Sequence, residues 1–214
     1  MPVIVGVDES GKGDFFGPLV IAALVADDES SAQLRALGAR DSKLVSNQKL
    51  LRVDEELRAQ FQHAVIVISP ERYNRTYREI KNLNKLLAQG HADAIAAVLK
   101  ITRADRAISD KFGKPELVES ALARIGCSIS LSQIVRGESI LQVAAASILA
   151  RARFLREMDR LSKQFGMELP RGASGIVDKA GREFVKMHGT NVLEQVSKVH
   201  FKNFQRATAG SLFK

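Results

Sequence analysis

The residues from Gly6 to Gly13 read GVDESGKG, two adjacent carboxylates followed by a glycine-flanked lysine. The spacing comes close to the phosphate-binding pattern G-x-x-x-x-G-K-[ST], but Gly13 stands where the metal-binding hydroxyl belongs. Such a cradle also needs a helix whose N-terminal amides face the phosphates, and the following DFFGPLVIAALVA reads as a strand. Asp8 and Glu9 inside it would repel a polyphosphate, so the nucleotide reading is set aside. The acids suit a hard divalent cation instead. Ions such as Mg²⁺ are held by a few carboxylates plus substrate phosphate oxygens. Two of them, roughly 4 Å apart, can clamp the attacking and leaving oxygens of a phosphodiester. Asp110, ending the apolar RAISD, and Glu138, ahead of SILQVAAASILA, are further oxygen donors. The glycines at 11 and 13 let backbone amides approach a sugar or phosphate, with Lys12 nearby as a cation.

These side chains need elements to bring them together. VIVGVDE alternates and is β-rich, and PLVIAALVA reads as a buried strand, so the two form a hairpin around the glycine-rich turn. If the strand ending at Asp110 lies beside the first and parallel to it, both carboxyl ends deliver an acid to one edge of the sheet, where ligands of α/β proteins bind. Ser46 caps a helix running to about Phe61, AVIVIS is a strand closed by Pro70, and a helix runs from about Asn84 to Lys100 despite Gly90. Pro115 suits a first helical position, SISLSQIV alternates as a strand, and a long helix begins near Glu138. Beyond about residue 166 the tail reads as a loop and one or two helices. Strands cluster early and then alternate with helices, which predicts an α/β fold with a mixed sheet flanked by helices.

A chain of 214 residues that is 45% hydrophobic can bury one sizeable core, so a single domain is expected over 1–214. Cys127 is the only cysteine, which excludes an internal disulfide and a cysteine metal cluster and fits the cytoplasm. The apolar runs are too short to span a membrane, and the N-terminus lacks the marks of an export signal. The net charge is +8, and residues 151–214 carry 13 Lys+Arg against 6 Asp+Glu, so nearly all of the excess lies in the last third. That asymmetry favours a polyanion-facing surface, nucleic acid above all. Arg151, Arg153, Arg156 and Arg160 fit either such a surface or an ordinary solvated helix face.

Five separated blocks, GVDESGKGDFFGPLV, DSKL, ISDKF, GESILQVAAASILAR and VHFKN, resemble type 2 ribonucleases H in order and context, and are most similar to ribonuclease HIII. The resemblance covers nearly the whole chain. It implies a ribonuclease H-like fold with a mixed five-stranded sheet, and metal-dependent cleavage of the RNA strand of RNA–DNA hybrids that leaves 5′-phosphate and 3′-hydroxyl ends. The family's four acids fall on Asp8, Glu9, Asp110 and Glu138, which would hold Mg²⁺ or Mn²⁺. Gly11, Lys12 and Gly13 match the turn whose backbone reads ribose 2′-hydroxyls, the contact that separates RNA from DNA. Lys43 of Asp41-Ser42-Lys43 would approach the substrate backbone, and Lys198, His200 and Lys202 would face the site or a phosphate. Asn84 is placed with the substrate-binding residues. His91, seven positions on and on roughly the same helix face, is read as a core or surface histidine outside the chemistry. Ser147 and Ala144 to Ala146 are read as permitting tight helix packing.

Two departures bear on subtype. Lys12 is closer to the ribonuclease HII form of the turn, whereas Glu138 stands where HII carries Asp. Tyr73 and Tyr77 are the only tyrosines, so the C-terminal tyrosine that HII stacks on a junction sugar has no counterpart, and weak action at single embedded ribonucleotides is expected. Many HIII members carry an additional N-terminal substrate-binding domain. The first strand here begins at Val3, which leaves hybrid affinity to the catalytic domain and its basic last third. The expected partner is the hybrid, bound by a monomer without a nucleotide cofactor. Alternatives are cleavage at single ribonucleotides in duplex DNA, another nuclease of the same fold that cuts DNA, and a non-catalytic nucleic-acid-binding module.

Overall fold

A computed structural model of the chain describes residues 2–39 and 46–209; Asp41, Ser42 and Lys43 fall outside them. Two compact units alternate along the sequence: Met1–Ser10, Val20–Ile66 and Asn82–Arg153 make up the first, and Gly11–Leu19, Val67–Lys81 and Phe154–Lys214 the second. Among the described residues no helix is long and apolar enough to cross a membrane.

The first unit is built on the sheet. Strand β1 (Ile4–Ser10) pairs antiparallel with β2 (Leu19–Ala26), from Ile4↔Ala26 to Ser10↔Val20, which is the expected hairpin. All eight residues of β2 are buried, so no polar face interrupts its apolar run. On its other edge β1 runs parallel to β4 (Arg106–Asp110), from Ile4↔Arg106 to Val7↔Ser109, and β4 runs parallel to β5 (Ser130–Ile134). With β3 (His63–Ile68) the order is β3-β2-β1-β4-β5. The mixed five-stranded sheet flanked by helices is therefore as the sequence predicts.

Capping chemistry sets the helices of this unit. After the short α1 (Ser31–Ala36), the Ser46 side chain accepts a hydrogen bond from the Lys49 amide and starts α2 (Asn47–Gln60). Asn82 does the same through the Lys85 amide for α4 (Leu83–Leu99), and Pro115 occupies the first turn of α5 (Pro115–Arg124). The long α6 (Leu141–Gln164) lies directly on β1: a Cβ at Gly6 would sit 2.1 Å from the backbone carbon of Gln142. Ile4, Ile108 and Val143 pack into one cluster there, supported by Ile134 and Ile140. Each fully buried aliphatic side chain of this kind contributes about 1.5–3 kcal/mol, which holds the carboxyl ends of β1 and β4 in fixed register.

The second unit collects the Gly11–Leu19 segment, α3 (Pro70–Ile80), the end of α6, α7 (Gly175–His188), α8 (Thr190–Leu193) and α9 (Lys202–Thr208). Phe165 meets Phe184 edge-on at 5.3 Å, and Gly181 lets α7 approach Ala207 and Phe15. Asn74 joins α3 to the tail by donating to the Ser197 carbonyl (2.8 Å) and the Glu194 carbonyl (3.0 Å) and accepting from the Val199 amide. Helix α3 follows directly where the sequence suggests only the end of a strand. Ser69 caps it, Pro70 takes its first turn, and Lys81 ends it in the left-handed region at φ 49°. Its buried stripe is Tyr73 and Asn74 among charged neighbours, which hides the apolar period. The tail likewise folds three helices where one or two are expected.

Candidate active site

Side chains alternate across a strand, so Gly6 and Asp8 share the sheet face covered by α6. In the parallel register Gly6 pairs with Ile108. The register ends at Val7↔Ser109, so Asp8 and Asp110 are the next residue on each strand, and the alternation puts both on that face. Gly137 closes the group. Its amide donates to Asp110 Oδ1 at 2.8 Å, and a Cβ on it would lie 2.9 Å from the Asp110 Cα. Only glycine fits there, and it brings the next residue, Glu138, beside the strand end. The long helix does not begin at Glu138, as expected from sequence. Arg136 in the left-handed region (φ 58°) starts a single 3-10 turn, Gly137–Ser139, and the extended Ile140 separates it from α6. The backbone stacked on Asp110 thus sets where Glu138 lies.

Glu9 follows Asp8 and so points to the opposite face, where Nε2 of His91 on α4 donates to Oε2 of Glu9 at 3.1 Å. His91 is fully buried and packs on Phe112 at 4.7 Å. Among the described residues no three His, Cys, Asp or Glu side chains close on a common centre as oriented here. Asp8 and Asp110 thus sit at the carboxyl ends of neighbouring strands on the α6 face, Glu9 points to α4, and Glu138 follows the glycine that lies on Asp110.

Asp8 carries the electrostatic signature of the edge. Burial, reinforced by the neighbouring Glu9 charge, raises its pKa to about 6 against hydrogen bonds from the Ser147 hydroxyl and the Glu9 amide, which favour the charged form. An all-oxygen donor set with a carboxylate held against its own ionisation suits a hard divalent cation. Ser147 and His91 both touch the acids, and sequence reasoning assigned neither to the site. The signal for His91 is its place on an apolar stripe of α4, where Leu87, Ala94, Ile95 and Val98 are also fully buried. A lone titratable group on such a stripe meets the sheet.

The glycine-rich segment belongs to the second unit. Gly11 adopts φ +88°, and a Cβ there would meet the Pro18 carbonyl at 2.2 Å, whereas a Cβ at Gly13 would meet nothing within 4 Å. Lys12 is half-buried and Gly13 exposed. Lys198 departs from expectation. It is fully buried, and Nζ donates to the carbonyls of Asp14 and Gly17, each at 2.8 Å. Its amine is spent inside the protein and does not face a phosphate. Burial lowers its pKa to about 7, with the Asp14 charge opposing. His200 is half-buried and stacks on Tyr77 at 4.3 Å and Tyr73 at 5.5 Å; burial and Lys198 push its pKa down. Lys202 is exposed at the start of α9, and Asn84 is half-buried near the start of α4.

A family model described as Ribonuclease HII matches residues 5–204. The chain is 39% identical over 198 residues to a ribonuclease HIII of Protochlamydia amoebophila, covering 92% of this chain and 66% of that one. It is 41% identical over 208 residues to a ribonuclease HIII of Chlamydia pneumoniae, covering 96% and 70%. The crystal structure of Bst-RNase HIII in complex with Mn²⁺ matches with a TM-score of 0.92 at 34% identity, covering 97% of this chain and 70% of that chain. The chain spans about two thirds of the length of the curated relatives it matches.

Proposed function

This chain belongs to the ribonuclease HII family of type 2 ribonucleases H, and from that premise we propose that it hydrolyses the RNA strand of RNA–DNA hybrids, leaving 5′-phosphate and 3′-hydroxyl ends. The observation that carries the reading is the parallel register of β1 and β4, which ends at Val7↔Ser109 and so has Asp8 and Asp110 as the next residue of each strand, with the Gly137 amide on Asp110. Asp8, Glu9, Asp110 and Glu138 would hold Mg²⁺ or Mn²⁺. When bound, such ions supply an attacking water of lowered pKa and a counter-charge for the departing 3′-oxygen. The chain's own residues hold and orient. The Ser147 hydroxyl and the Glu9 amide fix the Asp8 carboxylate, and the Gly137 amide fixes that of Asp110. The backbone of Gly11, Lys12 and Gly13 reads 2′-hydroxyls. Lys43, Asn84, His200 and Lys202 hold the substrate backbone, whereas Lys198 serves the glycine-rich turn by pinning the segment that carries it.

His91 acts through Glu9 and is a positioning residue. His91→Ala is expected to raise the Mn²⁺ concentration for half-maximal cleavage by about 10–100-fold, the usual effect of removing a partner of a metal ligand, with hybrid affinity in chelator unchanged. A metal titration of cleavage beside an anisotropy titration of binding checks this.

A family match over 5–204 and the interleaving of the two units support reading the chain as one catalytic domain. It acts as a cytoplasmic monomer without a nucleotide cofactor. The test is one gel with end-labelled RNA–DNA hybrid, DNA duplex with one ribonucleotide, and all-DNA duplex, each with Mg²⁺, Mn²⁺ or chelator. Hybrid is cut with either metal and nothing is cut with chelator or in all-DNA duplex. Preferential cutting at the lone ribonucleotide would move the assignment to HII-like activity.

A further inference from the structure

Beside the acids, the loop after β4 and the start of α4 enclose an open groove of about 700 Å³, lined in part by Asn84, Lys111, Phe112, Gly113 and Lys114. Lys111 follows Asp110 directly, and no carboxylate lines the groove. Lys111 and Lys114 are exposed, and neither ammonium has an ion-pair partner among the described residues. The Asn84 amide likewise has no hydrogen-bond partner among them. Gly113 does not have a left-handed φ, so an alanine could adopt its backbone. A Cβ there would press on Asn84, 3.3 Å from Nδ2 and 3.5 Å from its Cβ, so the glycine lets the two walls of the groove come close. Phe112 is half-buried, its ring tilted against His91, which in turn donates to Glu9. A continuous set of contacts therefore runs from a metal-site acid to the groove wall.

Two unpaired cations, an unpaired amide and a partly exposed aromatic ring around one concavity are the donor set of a nucleotide. Lysines neutralise phosphates, an amide donates to phosphate or sugar oxygens, and a ring packs against the apolar face of a sugar. We propose that this groove is a binding site for the nucleotide unit of the substrate strand next to the scissile linkage, with its phosphates on Lys111 and Lys114 and its sugar against Phe112. The assignment rests on the hydrolysis of hybrid proposed above and extends it to where the strand runs beyond the acids.

The test is binding of fluorescein-labelled RNA–DNA hybrid by anisotropy in chelator between 50 and 200 mM salt, with cleavage in Mn²⁺ run in parallel. Gly113→Leu fills the groove without changing any charge. It weakens hybrid binding about tenfold while the urea midpoint stays at the wild-type value. The double variant Lys111→Gln/Lys114→Gln lowers the slope of log K against log salt by about 2, close to 0.9 for each phosphate released. Wild-type protein that binds and cuts hybrid while all these variants match it in affinity and slope overturns the groove alone. Wild-type protein that neither binds nor cuts hybrid overturns the proposed function, and the groove with it.

Discussion

Asp8→Asn abolishes cleavage and, in the same protein, raises the stability of the metal-free fold at pH 8. The loss of rate is on the order of 10³-fold or more, because the carboxylate acts on charge that develops only in the transition state. The gain in stability follows from linkage. The folded pKa of Asp8 is about 6 against an ordinary 3.8, owing to burial and to Glu9. Between those values the folded protein binds a proton that the unfolded chain has released, so stability falls as pH rises through that window. Above pH 6 the whole penalty is present, of order 3 kcal/mol at about 1.4 kcal/mol per pKa unit. Asn carries no charge to desolvate and can still accept from Ser147 and the Glu9 amide. Urea unfolding in chelator should show the variant about 1–3 kcal/mol more stable at pH 8 and level with wild type near pH 4. Mn²⁺ should then stabilise wild type but not the variant, since only the former binds it in the folded state. A variant less stable than wild type at pH 8 and equal to it at pH 4 would show that the buried charge is not the source.

The opposed effects of that one substitution explain why the acids were legible in the sequence. A carboxylate directly after an apolar strand breaks local consistency, and such breaks collect where function overrides stability. Asp8 and Asp110 both do this, and the hairpin, the cap at Ser46 and the first-turn Pro115 follow from period and punctuation, whereas the parallel pairing of β1 with β4 enters the sequence reading only as a condition. Glu138 was legible as an acid but not in its setting, because nothing local shows that Gly137 must lie flat on Asp110. Period and composition say which face of an element a residue occupies; they do not say what waits on the element opposite. His91 shows that limit. Its stripe on α4 was readable, yet its partner is 82 positions earlier, at the end of a strand.

Helix α3 and the burial of Lys198 leave no clear mark in the sequence for a related reason. In α3 the buried surface belongs to Tyr73 and Asn74, whose polar groups lower the apolar signal, and Asn74 is there to satisfy the backbone of residues 194–199. Lys198 alternates with other polar residues as an exposed strand would. The structure buries it because Asp14 and Gly17 present carbonyls in a loop with few ladder partners, and a buried carbonyl without a donor costs about 1–3 kcal/mol.

Lys198→Met therefore destabilises the protein, and its effect grows with pH. Removing the amine leaves the Asp14 and Gly17 carbonyls without their donor, an expected loss of about 2–4 kcal/mol at pH 9. The folded pKa of about 7 lies below the ordinary 10.5, so between the two the unfolded chain holds a proton that the folded protein has released. Stability from this group is thus greatest at high pH and is lost as pH falls toward 7. A neutral amine still has the two N–H groups that the two carbonyls need, whereas an ammonium must keep a charge out of water, a cost that the Tyr73 ring 5.6 Å away offsets only in part. Wild-type stability should rise by a few kcal/mol from pH 6.5 to pH 9, before tyrosines of the unfolded chain ionise, and the variant should lack that rise. Urea midpoints at the two pH values measure the gap directly. Because the same amine pins the segment that carries Gly11, Lys12 and Gly13, hybrid KM rises in Lys198→Met more than kcat falls. A gap that narrows as pH rises, or a KM equal to that of wild type, would mean that the buried amine neither satisfies those carbonyls nor holds the turn.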